Sequence, residues 1–307
     1  KVVHYYRKDG DSLSVENLFA TIKGNISSSI EIKDFTAKYK SEGILKRVYI
    51  ILEAYFHQED INHITGDVHF ISYFLKKRKT ILTVLDCVSV MHSSGLKKLL
   101  FKYFWFTLPA KRVKYITVIS EKTKEEFLSI VNFPKDRIFV IPACISEDFK
   151  YVKKQTFNIK KPRILQVGTM FNKNINRLSN ALLDIPCLLD IVGKLTEEQV
   201  AILEKNKIDY VNSFSISRID LLEKYYLSDI VVFVSTYEGF GLPVLEAQAT
   251  GTPVITSNIS PMIDVAGDGA CFVDPTNIDE INGGIKKVIH DDKYRKRLVN
   301  NGFENVK

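Results

Sequence analysis

Short apolar runs alternate along this chain with stretches whose apolar residues recur at helical spacing, and the alternation breaks once. Residues 2–6 read as a strand, and in 14–23 the side chains of Val15, Leu18, Phe19 and Ile22 share one helical face. Residues 62–65, 80–85 and 115–119 are brief apolar runs of the kind buried in parallel sheets. Ser120 then stands as a helix N-cap with Glu121 in the first turn, and a strand at 137–141 stops at Pro142. Residues 149–162 (FKYVKKQTFNIKKP) break the pattern, being Lys-rich, weakly periodic and closed by Pro. The pattern then restarts, with strands at 163–167, 188–192, 208–211, 230–234 and 253–256 and helices at 175–183, 220–227, 242–249 and 278–290. Two successive β-α-β series predict an α/β protein with two parallel sheets, covered by helices and separated by a cleft. The expected division is an N-terminal domain at 1–150, a connection at 151–162, a C-terminal domain at 163–290 and a last helix at 291–307 packing back on the N-terminal domain.

Composition narrows the class. The chain has 307 residues, 45% hydrophobic and 26% charged, which suits two folded domains. No apolar run reaches the roughly 18 residues of a membrane span, and the start (KVVHYYRKDG) turns polar too soon for a signal peptide. Cys87, Cys144, Cys187 and Cys271 form no CxxC pair and lie in apolar stretches, so buried free thiols and a reducing cytoplasm are expected. The net charge of +7 points to an anionic partner. Six Lys/Arg and no acid fall in 95–115, interleaved with Phe101, Tyr103, Phe104, Trp105 and Phe106. Three readings stand for that segment: a helix packing its aromatics inward, a patch resting on an anionic membrane surface, or, last, nucleic-acid binding.

The chemistry concentrates in 238–253 (EGFGLPVLEAQATGTP), directly after the apolar run at 230–234. Gly239 and Gly241 let backbone approach a ligand closely, and Pro243 suits the first turn of a helix. A helix start beyond a strand offers free N–H groups and partial positive charge, which fits a diphosphate. Glu238 is placed to bond sugar hydroxyls, and Glu246 to accept both hydroxyls of a ribose. For an isolated Gly-x-Gly, a plain strand–turn–helix with two surface glutamates is the competing reading.

The longer stretch 221–258 (LLEKYYLSDIVVFVSTYEGFGLPVLEAQATGTPVITSN) resembles the donor-site signature of glycosyltransferase family 4, named for its Glu-x7-Glu element. The resemblance implies the GT-B fold, two Rossmann-like domains facing across a cleft, and transfer with retention at the anomeric carbon. It implies that Glu238 meets the donor sugar and Glu246 the ribose, with backbone N–H groups at Phe240, Gly241 and Leu242 on sugar and phosphates. Residues 166–174 (QVGTMFNKN) are similar to the family's diphosphate loop, with Gly168 and Thr169 in it and Lys173 as its cation. Thr169 stands where the family often has Arg, which leaves Lys173, with Arg177 as a substitute, to neutralise phosphate. Residues 189–194 resemble the next strand and glycine turn, 212–217 the base-contacting region and 261–274 the segment closing the domain.

In the N-terminal half, 7–16 (RKDGDSLSVE) resembles the family's glycine loop beside the acceptor, with Gly10 as its glycine and Glu16 at its acidic position; a polar turn is the alternative. His69, in HITGDVH at 63–69, either lines the cleft or packs, and the spacing there fits no common zinc pattern. Leu85 replaces a histidine of the family's His-Asp pair, so Asp86 remains, with His92 as a substitute contact. The catalytic set implied is Glu238, Lys173 and Asp86. The expected reaction moves a hexose-type sugar from a nucleotide-diphosphate donor to a saccharide or lipid-linked acceptor, without metal or other cofactor, since no Asp-x-Asp clamp stands where one would be needed. A cytoplasmic enzyme stationed at the inner membrane face, using no nucleic acid, is the accompanying expectation. A sugar-nucleotide epimerase on the same fold, or a non-catalytic GT-B subunit, remains as the alternative.

Overall fold

The computed structural model describes residues 1–8, 14–152 and 156–307. The chain divides into two compact units, 1–144 and 145–307. Each is built on a six-stranded sheet in which every strand pair is parallel.

In the first unit the strands β1 (Val2–Tyr6), β2 (Ile32–Thr36), β3 (Ile61–Ile64), β4 (Thr80–Val84), β5 (Tyr115–Val118) and β6 (Ile138–Val140) lie in the order β2-β1-β3-β4-β5-β6. One face carries Tyr5, Ile64, Leu82, Val84, Ile116 and Val118, which anchor the core together with Ile50, Ala54 and Phe127. The longer helices are α1 (Ser14–Asn25), α2 (Ile44–Tyr55), α3 (Gly95–Phe101) and α4 (Glu121–Ile130). Ser120 caps α4 as expected, its side chain accepting from Thr123 N at 3.1 Å. On the other face of the sheet His4 and His63 stand in register on β1 and β3, and His63 Nε2 lies 2.8 Å from Thr83 Oγ1. Burial, and then the neighbouring His4, push the His63 pKa down to about 3, so the ring is neutral.

The second unit holds β7 (Arg163–Val167), β8 (Leu188–Val192), β9 (Tyr210–Ser213), β10 (Ile230–Phe233), β11 (Val254–Ser257) and β12 (Ala270–Val273), in the order β12-β11-β10-β7-β8-β9. Its longer helices are α5 (Ile175–Ala181), α6 (Glu197–Lys205), α7 (Arg218–Leu227), α8 (Leu242–Ala249), α9 (Ile278–His290) and α10 (Asp292–Asn305). Strand order therefore reverses between β7 and β10, and in doubly wound sheets ligands bind at that crevice, beyond the carboxyl ends of the strands. Every residue of β10 is buried, as a strand covered on both faces requires.

Several features differ from the sequence expectation. β2, α2, α6 and β12 are strands and helices that the apolar pattern did not single out. Cys87, Cys187 and Cys271 are buried, but Cys144 is exposed, because it follows the last strand of the first unit. Both ends of the segment read as a connection pack on the second unit: Tyr151 meets Phe303 edge-on and Asn158 N donates to Asp229 Oδ1. The final helix α10 packs against α8, α9 and β12. In the 95–115 segment, Trp105 and Phe106 pack inward, but Leu96, Leu99, Leu100, Tyr103 and Phe104 are exposed. Inward packing thus holds for part of that segment only.

Candidate donor site

Two loops meet at the reversal of strand order in the second unit, one after β7 and one after β10. The first begins at Gly168, whose φ of 90° falls in the left-handed region. A Cβ on Gly168 would lie 2.8 Å from Lys173 Cε, so only glycine lets the lysine side chain lie across this turn. Thr169 is fixed by its hydroxyl donating to Lys194 O at 2.7 Å and by Gln199 Nε2 donating to its carbonyl at 2.8 Å.

Two asparagines tie the loops together. Asn172 Nδ2 donates to Tyr237 O at 2.7 Å, and Thr236 N donates back to Asn172 O at 2.8 Å. Asn174, held at φ 64°, donates to Val234 O and Pro275 O. Between them Lys173 Nζ reaches Glu238 Oε1 at 2.6 Å and lies 4.4 Å from the centre of the Phe233 ring. Both partners are mostly buried, with side-chain exposures of 15% and 13%, and Asn172 Nδ2 also reaches Glu238 Oε1 at 3.2 Å. A charge pair this sheltered, with added hydrogen bonds, holds both groups in place more firmly than a surface pair would.

Helix α8 starts immediately beyond. Gly241 is its N-cap at φ 113°, and Pro243 lies in the first turn. No neighbour stands within 3.7 Å of a Cβ on Gly241, so backbone conformation, not crowding, calls for glycine there. Phe240 is buried beside Gly239. Half-buried Glu246 lies on the second turn, where it accepts from the Tyr225 hydroxyl at 2.6 Å. Burial pushes the Glu246 carboxyl up to about 7, against the opposing pull of the Tyr225 bond and the charges of Arg218 and Lys173.

The structure thus brings Gly168, Thr169, Lys173, Glu238, Gly239, Phe240, Gly241, Leu242 and Glu246 together around one reversal of strand order in one unit. Arg177 Nη1 instead donates to Asn174 Oδ1 at 3.0 Å, bracing the loop. Asn172, Asn174 and Tyr225 were not singled out by sequence. Asparagine tolerates the left-handed region better than most residues, but directly before a helix it more often caps with extended backbone, so the sequence did not mark Asn174. Tyr225 carries no such local signal, because its partner lies 21 residues away.

The remaining expected residues belong to the first unit. Asp86 Oδ1 accepts from Val88 N at 2.9 Å, capping the turn that follows β4. Glu16 pairs with Arg7 Nε at 3.4 Å, and Arg7 also binds Asp67. His69 is buried, its ring edge-on to Phe106 and its Nδ1 2.8 Å from Trp105 O, so of the two readings it fills the packing role. Gly10 lies outside the described residues.

Two all-parallel sheets, one of them doubly wound around a glycine turn and a helix start, define a two-domain α/β protein of the GT-B type. The solved lipopolysaccharide-biosynthesis glycosyltransferase WaaG superposes over 100% of this chain and 95% of its own, with a TM-score of 0.77 at 17% identity. The Anabaena protein HepE, crystallised with UDP and glucose, does so over 98% and 94%, with a TM-score of 0.74 at 13% identity. The profile of the family described as "Glycosyl transferases group 1" matches residues 147–305, just over half of the chain, and the chain belongs to that family. It is 28% identical over 221 residues to O-antigen chain mannosyltransferase B of Escherichia coli, covering 63% of this chain and 56% of that protein. It is 25% identical over 221 residues to O-antigen chain mannosyltransferase RfbU of Salmonella typhimurium, covering 69% and 61%. The chain therefore matches somewhat more than half the length of these relatives.

Proposed function

We propose that the chain works as a retaining hexosyltransferase, moving a sugar from a nucleotide-diphosphate donor to a saccharide or lipid-linked acceptor in glycan or polysaccharide synthesis. The observation that carries this reading is Lys173 Nζ held 2.6 Å from Glu238 Oε1 beside the start of α8, with Glu246 on the same helix. Without ligand the two charges neutralise one another. When the donor binds, its diphosphate takes the ammonium of Lys173 and the N–H groups at the start of α8, and Glu238 turns to the sugar hydroxyls. As the glycosidic bond breaks, negative charge grows on the diphosphate, and these fixed donors stabilise it most in the transition state. A diphosphate oxygen on the same face of the sugar then takes the proton of the incoming acceptor hydroxyl, which gives retention. Glu246 holds the ribose. The names of the curated relatives, both mannosyltransferases of O-antigen chains, support a hexose donor and a saccharide acceptor. HepE crystallised with UDP and glucose supports a nucleotide sugar.

The same reading sets the enzyme on the inner face of an anionic membrane, through the 95–115 segment and the neighbouring exposed side of α2. Arg47 of α2 stacks 4.6 Å from the Trp105 ring, which ties the two elements together. The decisive experiment offers the purified protein a panel of nucleotide sugars, GDP-mannose and UDP-glucose among them, with and without a chelator. Release of nucleoside diphosphate from one donor, undiminished by the chelator, is expected. Release from none would point to a non-catalytic subunit, and recovery of an epimerised nucleotide sugar to an epimerase.

A further inference from the structure

Glu246 is not held by its own helix alone. Tyr225, on α7, is completely buried, and its hydroxyl donates to Glu246 Oε2 at 2.6 Å. A phenol hydroxyl out of contact with water needs a partner, and an ionised carboxylate makes that bond short and strong. With Oε2 engaged, the carboxylate cannot turn freely about its last torsion, and Oε1 is left to meet a ligand.

The tyrosine is in turn braced from the segment that opens the second unit. Phe149 packs edge-on against the Tyr225 ring, with centroids 5.6 Å apart. The next residue, Tyr226, donates its hydroxyl to Lys150 O at 3.1 Å, and Arg218 at the start of α7 pairs with Asp148 at 3.2 Å. Thr252, just past α8, donates its hydroxyl to Tyr225 O at 3.3 Å. Helix α7 is thereby fastened both to residues 148–150 and to the far end of the helix that carries Glu246.

We propose that Tyr225 is a positioning residue for the nucleotide donor: its hydroxyl fixes the Glu246 carboxylate so that Oε1 faces the ribose, and residues 148–150 hold the tyrosine in place. This inference rests on reading Glu246 as the ribose acceptor. The Tyr225 bond also favours the ionised carboxylate, opposing the burial that disfavours it.

The test is steady-state kinetics with the best donor of the panel, across pH 5–9, on wild type, Tyr225→Phe and Glu246→Gln. Tyr225→Phe keeps the ring that packs on Phe149 and removes only the hydroxyl. It is expected to raise the donor KM by about tenfold with kcat nearly unchanged, as loss of a hydrogen bond to a charged group used equally in ground and transition states would. The acid limb of kcat/KM should move to higher pH, because the carboxyl loses a bond that favours its charged form. In Glu246→Gln that limb should vanish and KM should rise. If Glu246→Gln keeps the wild-type KM, the donor-site reading itself fails. If Glu246→Gln raises KM but Tyr225→Phe changes neither KM nor the pH profile, the positioning role fails while the donor site stands. A drop in melting temperature of Tyr225→Phe without a KM change counts as the second outcome.

Discussion

Lys173 and Glu238 sit within 2.6 Å of one another, yet their removal should have different effects. On the proposed reading Lys173 meets charge that grows as the diphosphate leaves, so Lys173→Ala should lower kcat by roughly a hundredfold or more. Glu238→Ala should cut turnover more than donor binding, since it orients the sugar. Glu246→Ala should weaken donor binding first, as seen by calorimetry; unchanged donor affinity in that variant would remove Glu246 from the site. The pH dependence follows from the Glu246 carboxyl, raised to about 7 by burial. Ionised, it accepts ribose hydroxyls through Oε1 while Oε2 keeps the Tyr225 bond; protonated, it loses acceptor capacity, so donor affinity should rise as pH climbs through about 7. For stability the sign reverses: between the ordinary carboxylate range and pH 7 the folded state holds a proton the unfolded chain has released, so Glu246 destabilises the fold as pH rises. His63 works the other way. Its folded pKa of about 3 lies below the unfolded value, so the unfolded chain binds more protons between about pH 3 and 6.5, and stability should fall as pH drops through that window. His63→Gln should flatten the acid side of a plot of unfolding free energy against pH.

Strands and helices bring their own tests. Asp190, on β8, is fully buried and bound by Arg163 Nη2 at 2.6 Å and Lys224 Nζ at 2.7 Å. The triad joins β8 to β7, whose loop carries Lys173, and to α7, which carries Tyr225. Asp190→Ala would strip the shared carboxylate from Lys224, 14% exposed, and from Arg163, 30% exposed and partly rescued by water, so the loss should approach the lower end of the roughly 3–5 kcal/mol that removing one partner of a buried pair typically costs. Denaturant unfolding should show a loss of that order; a loss no larger than that of a surface substitution would show that water reaches the triad. Most strands of both sheets were legible because parallel strands buried on both faces are near-continuous apolar runs, as in Ile230–Phe233. β2 was not, since its pattern (IKDFT) exposes Lys33 and Asp34 on an edge strand. Helix α2 hid for a different reason: it carries apolar side chains on its exposed side (Ile44, Leu45, Val48, Leu52) as well as its buried one (Ile50, Ile51, Ala54), which blurs the usual polar face.

That same helix bears on the protein's partners. Ile44, Leu45, Val48 and Leu52 of α2 are exposed, as are Leu96, Leu99 and Leu100 beside Lys97 and Lys98. Apolar side chains interleaved with cations suit an anionic lipid surface, where burial of the former and attraction of the latter add. No helix among the described residues is long and apolar enough to cross a membrane. The protein should therefore sediment with vesicles containing phosphatidylglycerol, bind neutral vesicles much less, and release in high salt. Leu45→Glu with Leu99→Glu should abolish sedimentation while leaving donor hydrolysis in solution intact. Equal binding to neutral vesicles would remove the electrostatic part of the argument, and dimerisation of the wild type with no vesicle binding would assign the face to a second copy.

The amino-acid sequence was enough to place two β-α-β series, the glycine turn and both glutamates of 238–246, because strand burial, turn geometry and helix starts are written in residues that are neighbours along the chain. Folding decided the rest. Lys173 and Glu238 are 65 residues apart and become partners only where β7 and β10 lie side by side. His69 became a packing residue because residues 105 and 106 close over it. The bond between Tyr225 and Glu246 needs two helices brought together, and no local pattern encodes a contact whose distance is set by the packing of everything between.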